Sequence, residues 1–443
     1  MSNLLTPSLI FTTLLIFLSI TTLTQSIVPP SKTFRVINSG PLDDFGPEYR
    51  GTTYRYSTLN LKSFPFSLCF YNTTNNAFTL GLLMGSVDNE SILRFVWDAN
   101  RRRPVRENAA LTFARDGNLV LRDVDGRIAW QTNTANKGVV GLKLLPNGNL
   151  VLYNSKNRYV WQSFNYPTDT LLVGQSLRPN GPNKLIARRS TRDQSDGLYS
   201  YVLQGTKLTL YYHTKNSPKP LSYYSQDIIG PPLSQVLFTS TLQENKTDTY
   251  ELKYDFFVNN SQVSSGVLAP QIMYDTTLSM HRLDYDGNLR IYTYNDKIDT
   301  HAWEVTYSAF GERGVFDACD LPSTCGALGV CDANRCVGCP TEKGLVPWRE
   351  GCKPPKLPPC RVGGANDVEY YKVVGVEHSF ILDAYGDRNT TMEECREMCS
   401  KDCGCLGFFY WEDFPTCYLA PELGTLRRAR NKAHVGYIKK AKK

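Results

Sequence analysis

Arg115–Trp130 reads RDGNLVLRDVDGRIAW, and Pro146–Trp161 reads PNGNLVLYNSKNRYVW. Each copy has a turn dipeptide, Asp116-Gly117 or Asn147-Gly148, followed by Asn-Leu-Val-Leu and a Trp 14 residues after the turn opens. Asp125-Gly126 is a further hairpin signal, with alternating apolar residues between it and the first. Side chains alternate along a strand. Leu119 and Leu121 are therefore expected inside, with Asn118, Val120 and Arg122 facing solvent. The second copy likewise puts Leu150 and Leu152 inside, with Asn149, Val151 and Tyr153 outside. Trp97, Trp130 and Trp161 are spaced 33 and 31 residues apart. A repeat of this length made of short strands fits one small sheet per repeat. Such a sheet cannot bury a face alone, but three around a shared axis pool their Trp and Leu into one core.

The rest of the chain frames this repeat. A length of 443 residues allows about three domains. Hydrophobic content of 41% and charged content of 21% are those of globular protein. The net charge of +7 is modest and its cations are interspersed with acids, with no basic-aromatic module, so no nucleic-acid partner is expected. From Phe34 to Phe310 the pattern is nearly all β, interrupted by Pro-bearing loops at Pro179 to Pro182 and at Pro231-Pro232. A Cys-rich segment, Cys319 to Cys352, and the link KPPKLPPC follow. A helix is predicted from Met392 to Met398, capped by Thr390 or Thr391 with acids in its first turn.

LIFTTLLIFLSITTLTQS has the apolar core and small-residue cleavage site, Thr24-Gln25-Ser26, of a signal peptide covering residues 1–26. Sequons at Asn72, Asn89, Asn245, Asn259 and Asn389 are candidate surface glycosylation sites. Twelve of the 13 Cys lie between Cys319 and Cys417, a density that means disulfides in an oxidising compartment. No later apolar run is long enough for a membrane anchor. A soluble, extracellular protein is expected.

The segment from about Phe78 to Leu177, carrying FVWDANRRRPV, DGNLVL and WQSFNYPTDTLLVGQ, resembles the bulb-type, mannose-binding lectins of plants, which are three-fold β-prisms. Beyond it the chain resembles the ectodomains of S-locus glycoproteins and lectin receptor kinases, with LDYDGNLRIYTY at 283–294 as the signature strand of a second prism-like module. LCFYNTTNNAFTL and TANKGVVGLKLLPNGNLVLY point to the epidermis-specific secreted glycoproteins of plants, which lack a kinase. The resemblance implies a mainly β fold: a lectin prism at 27–177, a second prism-like module at 178–312, an EGF-like domain at 315–355, and an α+β PAN (apple) domain with a basic tail at 356–443.

The lectin family binds mannose through Gln-x-Asp-x-Asn-x-Val-x-Tyr on one strand, whose alternate residues converge on adjacent hydroxyls. Here the positions read Ala114, Asp116, Asn118, Val120 and Arg122 in the first copy, and Leu145, Asn147, Asn149, Val151 and Tyr153 in the second. Counting back from Trp97 gives Gly81, Leu83, Gly85, Val87 and Asn89, and the second module gives Asp284, Asp286, Asn288, Arg290 and Tyr292. No copy is complete. Asp116, Asn118, Val120, Asn147, Asn149, Val151 and Tyr153 are the candidate sugar-binding residues. The other reading is that Asp-Gly-Asn and Asn-Gly-Asn persist as turns that the fold needs.

Six cysteines from Cys319 to Cys352 allow many pairings that sequence alone does not resolve. The EGF resemblance implies Cys319–Cys331, Cys325–Cys336 and Cys339–Cys352, although Cys336-Val-Gly-Cys339 departs from the usual one-residue gap and leaves those two open. A zinc site at this CxxC is the alternative, which an oxidising compartment disfavours. The PAN resemblance implies Cys395–Cys417 and Cys399–Cys405, leaving Cys360 for Cys403. Cys69, in an alternating strand pattern, reads as a buried free thiol. The segment after Leu426 has eight Lys or Arg and no acid. It is either a solvated terminus or a contact for an anionic partner such as wall pectin.

Motifs for metalloprotease, serine hydrolase, P-loop or dinucleotide chemistry are missing, the five His are scattered, and Asp169 reads as a residue that caps or closes a turn. No enzyme activity, cofactor or metal is expected. The sequence points to a secreted cell-wall or apoplastic glycoprotein binding wall polysaccharide or glycoprotein glycans. The alternative is a scaffold for other secreted or receptor proteins, using the EGF-like and PAN modules with sugar binding lost.

Overall fold

The computed structural model describes residues 27–40, 42–45, 54–72, 74–85, 93–242, 250–272, 278–294, 303–359, 367–382 and 386–442. The expected signal peptide, Asn89, Asn245 and Cys360 lie outside these residues. No helix among the described residues is long and apolar enough to cross a membrane.

Three antiparallel sheets form the first prism. One runs Phe34–Ile37, Ala110–Phe113, Leu119–Arg122, Ile128–Gln131; the next runs Val139–Leu144, Leu150–Asn154, Tyr159–Gln162. The third runs Asp43–Phe45, Tyr54–Ser63, Phe66–Asn72, Thr79–Met84, Arg94–Asp98. The last strand of each delivers one Trp to the common axis. Trp97, Trp130 and Trp161 meet edge-to-face with ring centroids 5.9, 6.2 and 5.7 Å apart. Each such pair contributes about 0.5–1.5 kcal/mol beyond its buried area. Leu119, Leu121, Leu150 and Leu152 fill the core around them, fully buried. Cys69 is a buried free thiol in this prism, its Sγ directed at the Gly81 carbonyl.

The second prism has three four-stranded sheets, one of which belongs to both cores. In that sheet Thr170–Leu172 pairs with Ser279–Leu283, followed by Leu289–Tyr294 and Trp303–Ser308. Met280, Tyr292 and Tyr294 pack into the first core, while Leu171, Leu283, Leu289 and Ile291 pack into the second. The alternation of side chains across the pleat allows this double burial. Thr170–Leu172 and Ser176–Leu177 precede residue 178 yet pair with second-prism strands.

The Cys-rich segment and the C-terminal segment share a sheet, ordered Gly344–Pro347, Arg335–Thr341, Leu328–Asp332, Gly424–Arg428, Val376–His378. Disulfides join Cys319 to Cys331, Cys325 to Cys336 and Cys339 to Cys352, so the CxxC sulfurs are in covalent bonds and not a zinc site. Cys395–Cys417 and Cys399–Cys405 tie the helix Met392–Lys401 to its sheet, and Cys403 is also disulfide-bonded. Thr391 and Glu394 form a reciprocal capping box at the N-terminus of this helix.

The basic C-terminal segment is divided between the fold and the surface, with Arg430, Lys432 and Lys442 exposed. His434–Ala441 is an internal strand between Val368–Val374 and Gly407–Trp411. Lys439, 5% exposed, donates from Nζ to the carbonyls of Cys399, Asp402 and Cys405 at 2.7, 3.0 and 3.1 Å. It closes the C-terminal end of the helix, where carbonyls lack partners and a cation is favoured. Arg427 pairs with Asp320, Arg428 with Asp332, and Lys440 with Glu342 and Glu369. Four of the eight cations after Leu426 are thus taken up by the fold.

Among the sequons, Asn259 and Asn389 are exposed. Asn72 is only 5% exposed at the end of its strand, so the expectation of a surface side chain there does not hold.

Candidate functional site

The motif strands come first because the sequence singles them out. The expectation that Asn118 and Asn149 face solvent is overturned: they are 8% and 4% exposed. The chain after each Trp strand folds back over the Asn. Asn118 Nδ2 donates to Gln131 Oε1 at 3.0 Å, and its Oδ1 accepts from Thr132 Oγ1 and the Thr134 amide at 3.0 and 3.1 Å. Asn149 Nδ2 donates to Gln162 Oε1 at 2.8 Å, and its Oδ1 accepts from Ser163 Oγ and the Phe164 amide. Asn288 does the same with Ser308 and Phe310 in the second prism. A strand-period reading puts these side chains on the outer face correctly but does not see the loop that covers it.

The remaining motif positions have partners as well. Asp116 and Asn147 are exposed, each accepting from the amide two residues ahead at 2.9 and 3.1 Å, which closes the turn. Val120 is half-buried and Val151 fully buried, against the expectation of solvent contact; strand Tyr54–Ser63 lies against neighbouring Val139–Leu144. Tyr153 lies across Gly141, accepts from Lys32 Nζ at 3.3 Å, and has Lys143 Nζ 5.1 Å from its ring centroid. In the second prism Arg290 bridges Asp284 and Asp286 at 2.6 and 2.8 Å, and Tyr292 Oη donates to Asp284. Thr79–Met84 in the remaining repeat is buried throughout, and Val87 and Asn89 lie outside the described residues.

Asp169 does not act as a simple turn cap. It is buried where the prisms meet, with Arg188 Nε at 2.8 Å and Arg101 at 3.1 Å. Arg101 also bonds Asp98 at 2.8 Å, and Asp98 accepts from the Tyr71 hydroxyl. Arg188 and Arg282 both donate to the Phe95 carbonyl. Burial alone would raise the Asp169 carboxyl, but Arg188 and Arg101 outweigh it and hold the group ionised. Its arginine partners lie 19 to 113 residues away, and no local pattern announces them.

Directly above this cluster, a cleft of about 970 Å³ opens at one end of the Trp axis. All three sheets contribute the chain that follows their Trp, and Arg178–Lys184 of the second prism closes the remaining side. Trp97 Nε1 donates to the Tyr166 carbonyl at 2.8 Å, while the Tyr166 ring stacks on Trp161 with centroids 5.6 Å apart and planes at 15°. Tyr166 is 55% exposed, so one face of its ring is available. Asn133, Asn180, Arg103 and Lys184 are exposed around it. A flat aromatic surface beside amides and cations is suited to sugar rings, whose apolar faces stack and whose hydroxyls need directed donors and acceptors. Sequence reasoning missed these residues; the available signal was Tyr166-Pro167, soon after the third Trp, since a residue before Pro disfavours the helical conformation and here ends the short turn Ser163–Asn165.

A family model described as D-mannose binding lectin matches residues 94–191, and one described as S-locus glycoprotein domain matches residues 229–349. EP1-like glycoprotein 4 of Arabidopsis thaliana is 42% identical over 418 residues, 94% of this chain and 93% of that protein. The epidermis-specific secreted glycoprotein EP1 of Daucus carota is 45% identical over 386 residues, 83% of this chain and 97% of that protein. The G-type lectin S-receptor-like serine/threonine-protein kinase SD2-5 of Arabidopsis thaliana is a more distant relative, 24% identical, and the match spans 42% of its length. With tandem prisms, a disulfide-rich C-terminal region and relatives matched nearly end to end, the chain belongs to the EP1-like glycoprotein family.

Proposed function

We propose that this chain is a secreted, non-enzymatic glycoprotein of the cell wall that binds glycans through its lectin-type module, with the motif strands serving as scaffold. The observation that carries this reading is the Trp-end cleft: an exposed tyrosine on a tryptophan triad, ringed by amides and cations. Secretion is supported by the N-terminal apolar stretch, the disulfides and the printed description of the carrot relative as a secreted glycoprotein. The test is retention of the intact protein on a wall-polysaccharide column. Release by free sugar, and loss of retention on Tyr166→Ala, are the expected results. Retention that free sugar does not reverse would overturn the reading.

One observation favours protein contact instead. The strand Gly344–Pro347 is at a sheet edge and exposes Leu345 and Val346, with Trp348 just beyond. Such an edge offers unpaired backbone groups and apolar side chains to another chain. Substituting Leu345→Lys would abolish protein capture and leave glycan binding intact.

A further inference from the structure

The cleft does not end at the prism boundary. Asn183, Lys184, Ile186 and Asp196 form one of its walls, and the same four residues line a second depression of about 740 Å³. That depression crosses the outer face of Lys184–Arg188, Asp196–Gln204 and Lys207–Tyr212 and extends to Lys219. A pocket for one compact ligand measures roughly 300–1,000 Å³. Two such hollows joined along a shared wall suit a linear chain of several sugar rings.

The charges along this path are unbalanced. Asp98 is held by Arg101 in the buried cluster, and Asp196 pairs with Arg102. Arg103, Lys184 and Lys219 are exposed, with no ion-pair partner among the described residues. Beyond the shared wall the exposed Gln204 offers its amide nitrogen, while its Oε1 accepts from the Tyr211 hydroxyl and the buried Ser200 hydroxyl is shared with His213. Resting on the carbohydrate-binding reading above, we infer that the joined groove binds an acidic oligosaccharide, one whose successive rings carry carboxylates. Tyr166 stacks one ring in the cleft, Arg103 and Lys184 take carboxylates at the cleft and its shared wall, and Lys219 takes one further along. Cations of this kind form charge-assisted bonds to carboxylates that neutral sugars cannot offer.

The experiment is calorimetric titration of the secreted, disulfide-intact chain with three probes: a linear galacturonic acid oligomer, the same oligomer fully methyl-esterified, and a neutral mannose oligomer. The acid oligomer is expected to bind, with an affinity that falls as salt is added, and the ester to bind at least about tenfold more weakly. Arg103→Ala/Lys184→Ala should weaken the acid oligomer by roughly tenfold or more at an unchanged thermal midpoint. Lys219→Ala, far from the axis, should weaken long acid oligomers and spare short ones. Equal binding of acid and ester, or preference for the neutral oligomer, overturns the acidic groove while carbohydrate binding stands. Failure of all three probes and of a wider wall-glycan panel overturns both.

Discussion

The motif strands and the Trp-end cleft use the same residue types to different ends. On the strands, Asn118, Asn149 and Asn288 have amides whose donors and acceptors are taken up by the chain that folds back over them. In the cleft, Tyr166 is stacked on one face only, and Arg103 and Lys184 extend into open space. A hydrogen-bonding side chain already satisfied inside the protein gains little from a ligand, whereas an unsatisfied one at the rim of a concave surface gains much. On the proposed reading, similarity to the sugar motif reflects the turn, and open polar surface is the better guide to a ligand.

The largest test of this contrast is at the junction that positions the cleft. Asp169→Ala leaves Arg101, Arg188 and Arg282 buried with one counter-ion fewer, and breaking such a network costs about 3–5 kcal/mol. Urea denaturation should show that loss, and a variant within about 0.5 kcal/mol of wild type would refute the assigned role.

Acid provides the next effect. Burial lowers His281 from its ordinary 6.5 to about 3, and burial lowers His378 to about 4 against a bond to the Leu423 carbonyl. Each folded value lies below the unfolded one, so the unfolded chain takes up the proton first. Stability is whole above pH 6.5 and declines as pH falls from there toward the folded values. At about pH 5 each group costs roughly 2 kcal/mol. His281→Phe or His378→Gln would flatten the pH dependence between those limits, and an unaltered slope in both would count against it.

Of similar size are the effects at the motif amides. Asn118→Ala and Asn149→Ala each leave buried partners unsatisfied and should cost about 1–3 kcal/mol. The account expects these losses in denaturation midpoints and not in glycan affinity of the folded fraction. A change in affinity without a change in stability would return the sugar site to the strands.

The three-sheet core was legible because Trp97, Trp130 and Trp161 recur at similar spacings of 33 and 31 residues and Leu119, Leu121, Leu150 and Leu152 keep the strand period. The helix was legible from Thr390-Thr391 ahead of the acids of its first turn, since its cap is local, although the helix runs to Lys401 and not to Met398. What escaped was set by distant chain. The cover over Asn118 comes from Thr132 and Thr134, the partners of Asp169 come from both prisms, and Lys439 finds helix carbonyls at Cys399, Asp402 and Cys405. A run of Lys and Arg looks the same in sequence whether it is solvated or threaded through a sheet. The cleft was invisible for the same reason, being assembled from three sheet ends and a loop of the next prism.

The most direct measurement compares wall-glycan binding by two variants of the secreted protein. Tyr166→Ala removes the exposed ring but not the backbone carbonyl that Trp97 uses. Asp116→Ala/Asn147→Ala alters the exposed motif positions. The account predicts that Tyr166→Ala loses binding at an unchanged thermal midpoint while the motif variant retains it. Binding that survives Tyr166→Ala and disappears with the motif variant would contradict it.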